Sequence, residues 1–151
     1  MQTFLPYADF AASAAVLDRA RLGKQRVEAI QVVRAVTVPD YGWRNHPAAH
    51  MWRGHVEALG AYGLAIVAEW TSRGHADTCA ATITADVLAS GVDRIRSQAE
   101  LADAGELPSW LGDEALHRSH RSNLLRKDPA HYGPLFPGDP DDLPYVWPGP
   151  G

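Results

Sequence analysis

Hydrophobic positions recur along this chain at helical spacing, and breaker residues divide them into segments. Residues 1–7 are short, apolar and end in Pro6-Tyr7, which reads as an ordered N-terminal arm. Asp9 or Ser13 then caps a helix that runs through Ala-rich sequence to about Val36, where Pro39-Asp40 stops it. At 100° per residue, Val16, Ala20, Gly23, Val27 and Ile30 form one apolar stripe, and Leu22, Ala29, Val33 and Val36 a second. Arg19 and Arg26 fall between the stripes. Asp18, Arg21, Lys24, Gln25 and Glu28 share the polar side. A partly buried Arg26 needs a partner or a ligand. Gly23 costs ~1 kcal/mol against alanine inside a helix, so it signals a close approach of another backbone or a local break.

A second helix is predicted from a cap at Asn45 or His46, with Pro47 in its first turn, to about Ser72. Met51, Trp52, Val56, Leu59, Tyr62, Leu64, Ile66, Val67 and Trp70 make it the hydrophobic backbone of the fold, and Gly74 is its stop. Residues 75–83 read equally as a short strand or a loop. A weaker helix follows over 86–104, interrupted at Ser90-Gly91. Trp110-Leu111 reads as a plug on the core, and Asp113 caps a helix to Lys127. From Pro129 onward, seven prolines in 23 residues exclude regular structure, yet Tyr132, Phe136, Tyr145 and Trp147 are too hydrophobic for a loose tail. An ordered strap around the helices is expected. The fold class is therefore all-α, a compact single-domain helical bundle spanning 1–151, with no internal repeat.

Length and composition fit that picture. The chain has 151 residues, 46% hydrophobic and 21% charged, enough to bury a core. No apolar run reaches the ~20 residues of a membrane span. The N-terminus carries no secretory pattern, so a cytoplasmic location is expected. Cys79 is the single cysteine, which excludes an internal disulfide and a thiolate metal cage.

Net charge is -4, unusual for a nucleic-acid binder, but its distribution is uneven. Residues 1–34 carry +2, residues 35–115 carry -6, residues 116–127 carry +4 and residues 128–151 carry -4. The two positive segments would form one basic face if they packed together; solvated helix faces explain the charge equally well.

The densest chemistry lies in residues 17–28, with four cations, two acids and one glutamine. Glu28 is a candidate general acid/base or electrostatic stabiliser. Its bland alternative is an i,i+4 ion pair with Lys24. His46 and His50 share a metal-compatible spacing, but no third ligand is evident, and a cap explains His46 better; no metal is expected. Arg118, Arg121, Arg126 and Lys127 with His117, His120 and His131 suit phosphate contacts, or equally a solvated helix end. Trp43, in its loop, can stack on a base, although tryptophans are mostly core residues. There is no phosphate-binding glycine loop, nucleophile elbow or paired-cysteine pattern.

Three groups of residues carry a resemblance. They are Leu22-Gly-Lys-Gln-Arg26-Val-Glu28; His46-Pro-x-x-x-Met-Trp52-x-x-His55 with Glu69-Trp70-x-x-Arg73-Gly74-His75; and His120-Arg121-x-x-Leu-Leu-Arg126-Lys-Asp128-Pro-x-His131-Tyr132. The chain resembles the pyrimidine-dimer DNA glycosylase family of the phage endonuclease V type, and most closely an actinobacterial branch of it. The resemblance implies an all-α fold and a DNA-repair N-glycosylase with AP-lyase activity on damaged pyrimidines. In such an enzyme a free N-terminal amine attacks C1′ and forms a Schiff base, and a glutamate on the first long helix stabilises the sugar cation. Carried over, Met1 supplies the amine, because Gln2 is too large for ready methionine removal. Glu28 supplies the carboxylate, and Lys24 is a reserve amine. Arg21, Gln25, Arg26, His120 and Arg121 contact the DNA. The implied partner is double-stranded DNA, with no cofactor, no metal, no membrane, and a monomeric state. In the family pattern arginine directly precedes the glutamate, whereas here Val27 intervenes. Residues two apart lie ~200° apart on a helix, so Arg26 and Glu28 share a cleft only if the helix is distorted. The alternatives are a non-catalytic DNA binder of the same fold and an enzyme acting on a free modified nucleoside or nucleotide.

Overall fold

A computed structural model describes residues 1–150. Among these the chain is all-helical and contains no strand. The helices are α1 (Phe10–Val16), α2 (Arg19–Thr37), α3 (Pro47–Trp52), α4 (Val56–Ser72), α5 (Cys79–Ala89), α6 (Gln98–Asp103), α7 (Glu114–Lys127) and α8 (Pro129–Tyr132).

The central element is α4, which packs on α1, α2, α5 and α6. Its Leu59, Tyr62 and Ile66 are fully buried, together with Leu22, Val32 and Val33 of α2 and Ile83 and Val87 of α5. Gly63 permits the approach of three helices. A Cβ there would lie 3.1 Å from Ile83 Cδ1 and 3.3 Å from Ala29 Cβ. The expectation that this helix forms the hydrophobic backbone holds.

Two predicted helices are each divided in two. The first breaks at Leu17, which is extended and fully buried, so that Asp18 caps α2 by accepting from the Arg21 amide. The Asp18 amide donates to Tyr132 Oη at 3.0 Å, a contact from 114 residues away that local periodicity does not carry. The second breaks at Gly54, whose φ of +82° lies in the left-handed region that glycine tolerates. His46 caps α3, its Nδ1 accepting from the Ala48 amide at 3.0 Å.

Residues 79–83, read as strand or loop, are the first turns of α5. Asp77 explains this: one of its oxygens accepts from the Ala80 amide at 2.8 Å while the other pairs with Arg26. The weaker helix after it survives as α5 and α6, with residues 90–97 between them irregular.

The wheel of α2 needs two corrections. Val27, placed in an apolar stripe, is 47% exposed. Gly23 marks neither a break nor a backbone contact; α2 is continuous, and a Cβ at Gly23 would lie 3.1 Å from two carbons of the Trp70 ring.

The Trp110 plug is buried and donates from Nε1 to Met51 O at 2.8 Å. The strap is ordered against α7: Leu143 and Val146 amides donate to Ser122 and Ser119 hydroxyls at 3.0 and 3.1 Å. One regular turn does form inside it, α8, because Asp128 caps it and Pro129 sits at the first helical position, where its missing N–H costs nothing.

Candidate active site

The N-terminal arm lies inside the bundle rather than on it. Gln2, Thr3, Phe4 and Leu5 are all buried. Buried main-chain groups must be paired, and without a neighbouring strand the partners here are side chains. Gln25 of α2 makes two of the bonds. Its Nε2 donates to Gln2 O at 2.6 Å and its Oε1 accepts from the Phe4 amide at 3.0 Å. Tyr62 Oη donates to Phe4 O at 2.8 Å, and Trp52 Nε1 donates to Thr3 Oγ1 at 3.0 Å.

Two histidines of α7 hold Leu5. The Leu5 amide donates to His120 Nδ1 at 2.8 Å, so the proton of His120 is on Nε2. The Gly112 amide donates to His117 Nε2 at 2.9 Å, so Nδ1 of His117 carries the proton and donates to Leu5 O at 2.8 Å. Both rings are therefore neutral. Burial lowers the pKa of each, that of His120 to about 3 with a further contribution from His117. Arg121 completes the clamp by donating to Pro6 O at 2.9 Å.

The clamped arm ends at a pocket of about 420 Å³ lined by Met1, Gln2, Phe4, Ala20, Arg21, Lys24, Glu28, Lys127 and Tyr145. Glu28 is its one carboxylate and is 9% exposed. Met1, Arg21, Lys24 and Lys127 line the same pocket, so its side chains carry net positive charge in a chain of net charge -4. Lys24 Nζ is 3.6 Å from Glu28 Oε1, and three quarters of its side chain is in solvent. Arg21 is set by Asp18 at 3.1 Å. Asp18 in turn accepts from Tyr132 Oη. Burial opposes charge on Asp18, but the hydrogen bonds from Tyr132 and Arg21 outweigh it and hold its pKa below the ordinary carboxylate value. Burial, followed by the bond to Asp18, raises the Tyr132 pKa and keeps that phenol a donor. Burial and the charge of Glu28 do the same for Tyr62.

Four of the predicted site residues thus come together: Met1, Arg21, Lys24 and Glu28. Gln25 lies beside them but is fully buried, and its amide is committed to the arm. Arg26 is on another side of α2. The helix is not distorted, so the two-residue spacing separates Arg26 from Glu28 as the wheel requires. Arg26 pairs with Asp77 at 2.6 Å and lies 4.3 Å over the Trp70 ring, the partner its partial burial demands. His120 is fully buried and serves Leu5, so it presents nothing to a phosphate. Arg121 is 11% exposed and pairs with Asp139 at 2.8 Å and with Glu114. Arg118 also reaches Asp139, at 3.6 Å. The acidic strap thus covers much of the basic patch of α7. Lys127, at the last turn, reaches the pocket, and Tyr145 joins it from the strap. Neither carries a local signal that places it there, since both arrive through packing distant in sequence.

A larger cleft, about 980 Å³, lies elsewhere, between the ends of α2, α4 and α5. Its carboxylates, Glu57 and Glu106, are both engaged by Arg96. No group of three or more His, Cys, Asp or Glu among the described residues is arranged to hold a metal ion. Among the described residues no helix is long and apolar enough to cross a membrane.

Comparisons with curated proteins and with solved structures return no match. A family model described as pyrimidine dimer DNA glycosylase matches residues 1–83. That stretch contains the arm and α1 through α4, and so Met1, Arg21, Lys24, Gln25 and Glu28. More than half of the chain is matched, including seven of the nine residues that line the pocket, and the chain belongs to the pyrimidine dimer DNA glycosylase family of DNA-repair enzymes.

Proposed function

We propose that this protein is an N-glycosylase with associated AP-lyase activity on damaged pyrimidines in duplex DNA, working through the α-amine of Met1. The amine attacks C1′ of the damaged nucleotide. The new C1′–N bond forms as the glycosidic bond breaks, and the base leaves with the bonding electron pair. Ring opening gives an iminium at C1′. Loss of a C2′ proton then expels the 3′-phosphate by β-elimination.

Glu28 has two parts in this scheme. Its carboxylate faces the sugar as positive charge develops on it, and it accepts the proton that the attacking amine must lose. A nearly buried carboxylate does this better than a solvated one, because water does not screen it. Lys24 is the less suitable nucleophile: a lysine amine is activated by desolvation, and most of Lys24 is in water. Arg21 and Lys127 hold phosphates on either side of the reacting sugar.

The observation that supports this reading is that Met1 and Glu28 share one positive pocket, with the arm behind Met1 bonded at every residue from Gln2 to Pro6. Borohydride reduction during reaction with duplex carrying a cyclobutane dimer or an abasic site tests it. A covalent adduct whose DNA maps to residue 1 is expected. An adduct on Lys24 would reassign the nucleophile, and no adduct with either substrate would overturn the amine mechanism.

A further inference from the structure

Trp43 is 52% exposed, an unusual position for so large an apolar ring, and neither the core nor the pocket uses it. It is the outer end of a ladder of rings. Trp43 meets His46 edge-on at 6.0 Å, and His46 meets Trp147 edge-on at 5.8 Å. Trp147 contacts Tyr145 at 5.5 Å, and Tyr145 lines the Met1–Glu28 pocket. The ladder therefore runs from solvent to the reacting centre, and its members come from two separate parts of the chain. Nδ1 of His46 is engaged as the α3 cap, its ring meets Trp43 and Trp147 edge-to-face, and Trp147 meets Tyr145 at a tilt of 54°. His46 also lies near enough to the N-terminal amine that, after burial, the charge of that amine is what lowers its pKa.

Arg44 follows Trp43 in the chain, and Arg53 is bonded to the main chain of Arg44. Arg44 bonds to Pro39 O at 2.9 Å, and Arg53 bonds to Arg44 O at 2.6 Å. Neither makes an ion pair among the described residues, whereas Arg26, Arg96 and Arg121 all do.

We propose that Trp43, His46 and Trp147 form a stacking ledge for an unstacked nucleobase of the bound DNA, with Arg44 and Arg53 holding the phosphates on either side of it. This rests on the reading of the pocket as a site for duplex DNA. Every base has a π-face, so an aromatic ledge beside unpaired cations binds nucleotides without reading their sequence. The ladder's continuity with the pocket favours a base over a protein partner. A base on the ledge keeps a local opening of the duplex in place while C1′ of a nearby nucleotide reaches Met1.

The test uses duplex with a central tetrahydrofuran, an abasic analogue that forms no Schiff base, and 2-aminopurine beside it. Wild type is expected to quench the 2-aminopurine on binding. Trp43→Ala should lose the quenching and bind roughly 5- to 150-fold more weakly, the range for removing one base–aromatic stack. Trp43→Phe should restore most of both. Trp43 is exposed, so the thermal transition of Trp43→Ala should match wild type. Equal affinity and equal quenching in Trp43→Ala overturn the ledge, as does an effect of Trp43→Ala confined to self-association. Borohydride trapping of wild type on an abasic duplex is read in parallel. Trapping with no effect of Trp43→Ala removes the ledge alone, while neither trapping nor binding by wild type removes the reading on which it rests.

Discussion

The side chain of Gln25 replaces a neighbouring strand for Gln2: it donates to the Gln2 carbonyl at 2.6 Å and, through its own oxygen, accepts from the next amide but one, Phe4, at 3.0 Å. A single helix residue thereby fixes where the chain begins relative to Glu28, one turn further along α2. Gln25→Ala orphans two buried main-chain groups, at about 1–3 kcal/mol each. The expected outcome is a melting temperature lower by several degrees and a borohydride-trapping yield that falls further than DNA affinity does. Unchanged trapping in the folded variant would show that the arm does not depend on this clamp.

Glu28→Gln removes the carboxylate with little change of shape. Loss of one group that stabilises transition-state charge costs roughly 100- to 1000-fold in rate. Single-turnover cleavage of dimer-containing duplex should fall by that order, while the affinity for the same duplex stays within a few-fold. Lys24→Ala removes an exposed ion-pair partner, a contribution of at most about 1 kcal/mol, and should leave trapping in place.

Arg26 and Lys127 separate structure from DNA contact. Arg26→Ala strands Asp77, whose side chain is 5% exposed, beside an emptied space over Trp70. Breaking a buried pair in this way costs about 3–5 kcal/mol. The variant should melt much earlier, yet retain the salt dependence of DNA binding when measured well below its transition. Lys127→Ala should do the reverse, with stability unchanged and the slope of log affinity against log salt reduced by about 0.9 for one lost phosphate contact.

Gly23→Ala tests the contact between α2 and Trp70. The added methyl would lie 3.1 Å from two ring carbons, and the ring cannot retreat freely. Trp70 Nε1 is bonded to Ala76 O at 2.9 Å, and Arg26 covers the ring. Overpacking costs about 1–3 kcal/mol and the gain in helix propensity returns about 1, so a modest net destabilisation is expected in urea titration.

The clamp on Leu5 makes stability depend on pH with a defined sign. His117 and His120 both have pKa values below their ordinary 6.5, that of His120 about 3. The unfolded chain therefore binds protons before the folded one does. The stabilisation is complete above pH 6.5 and is lost as pH falls from there toward 3, by up to ~1.4 kcal/mol per pH unit for each histidine. Urea midpoints at pH 7, 5.5 and 4.5 should decline in that order. His120→Ala should flatten the decline; an identical slope in that variant would place the titration elsewhere.

Local sequence carried most of the helical segments, the cap at Asp113, caps at Asp9 and His46 as one of two candidates each, and the apolar face of α4, because periodicity and capping are properties of neighbouring residues; the breaks at Leu17 and Gly54 were not legible in it. It also marked residues 17–28 as the densest run of charge and separated Arg26 from Glu28 on an undistorted helix. Tertiary structure decided what that polar side meets. Gln25 and Glu28 read as solvent-facing on a wheel, but the arm roofs them, through bonds that link Leu5 to His117 and His120 across more than 110 residues. The charge of α7 was equally plain in the sequence, and equally silent about its use. Asp139 of the strap engages the partly buried Arg121 and reaches the half-exposed Arg118, while Lys127 is left at the pocket. A wheel resolves which side of a helix a residue occupies; what lies against that side depends on segments far away in the chain, and it is this that set Glu28 in one pocket with Met1, Arg21, Lys24 and Lys127.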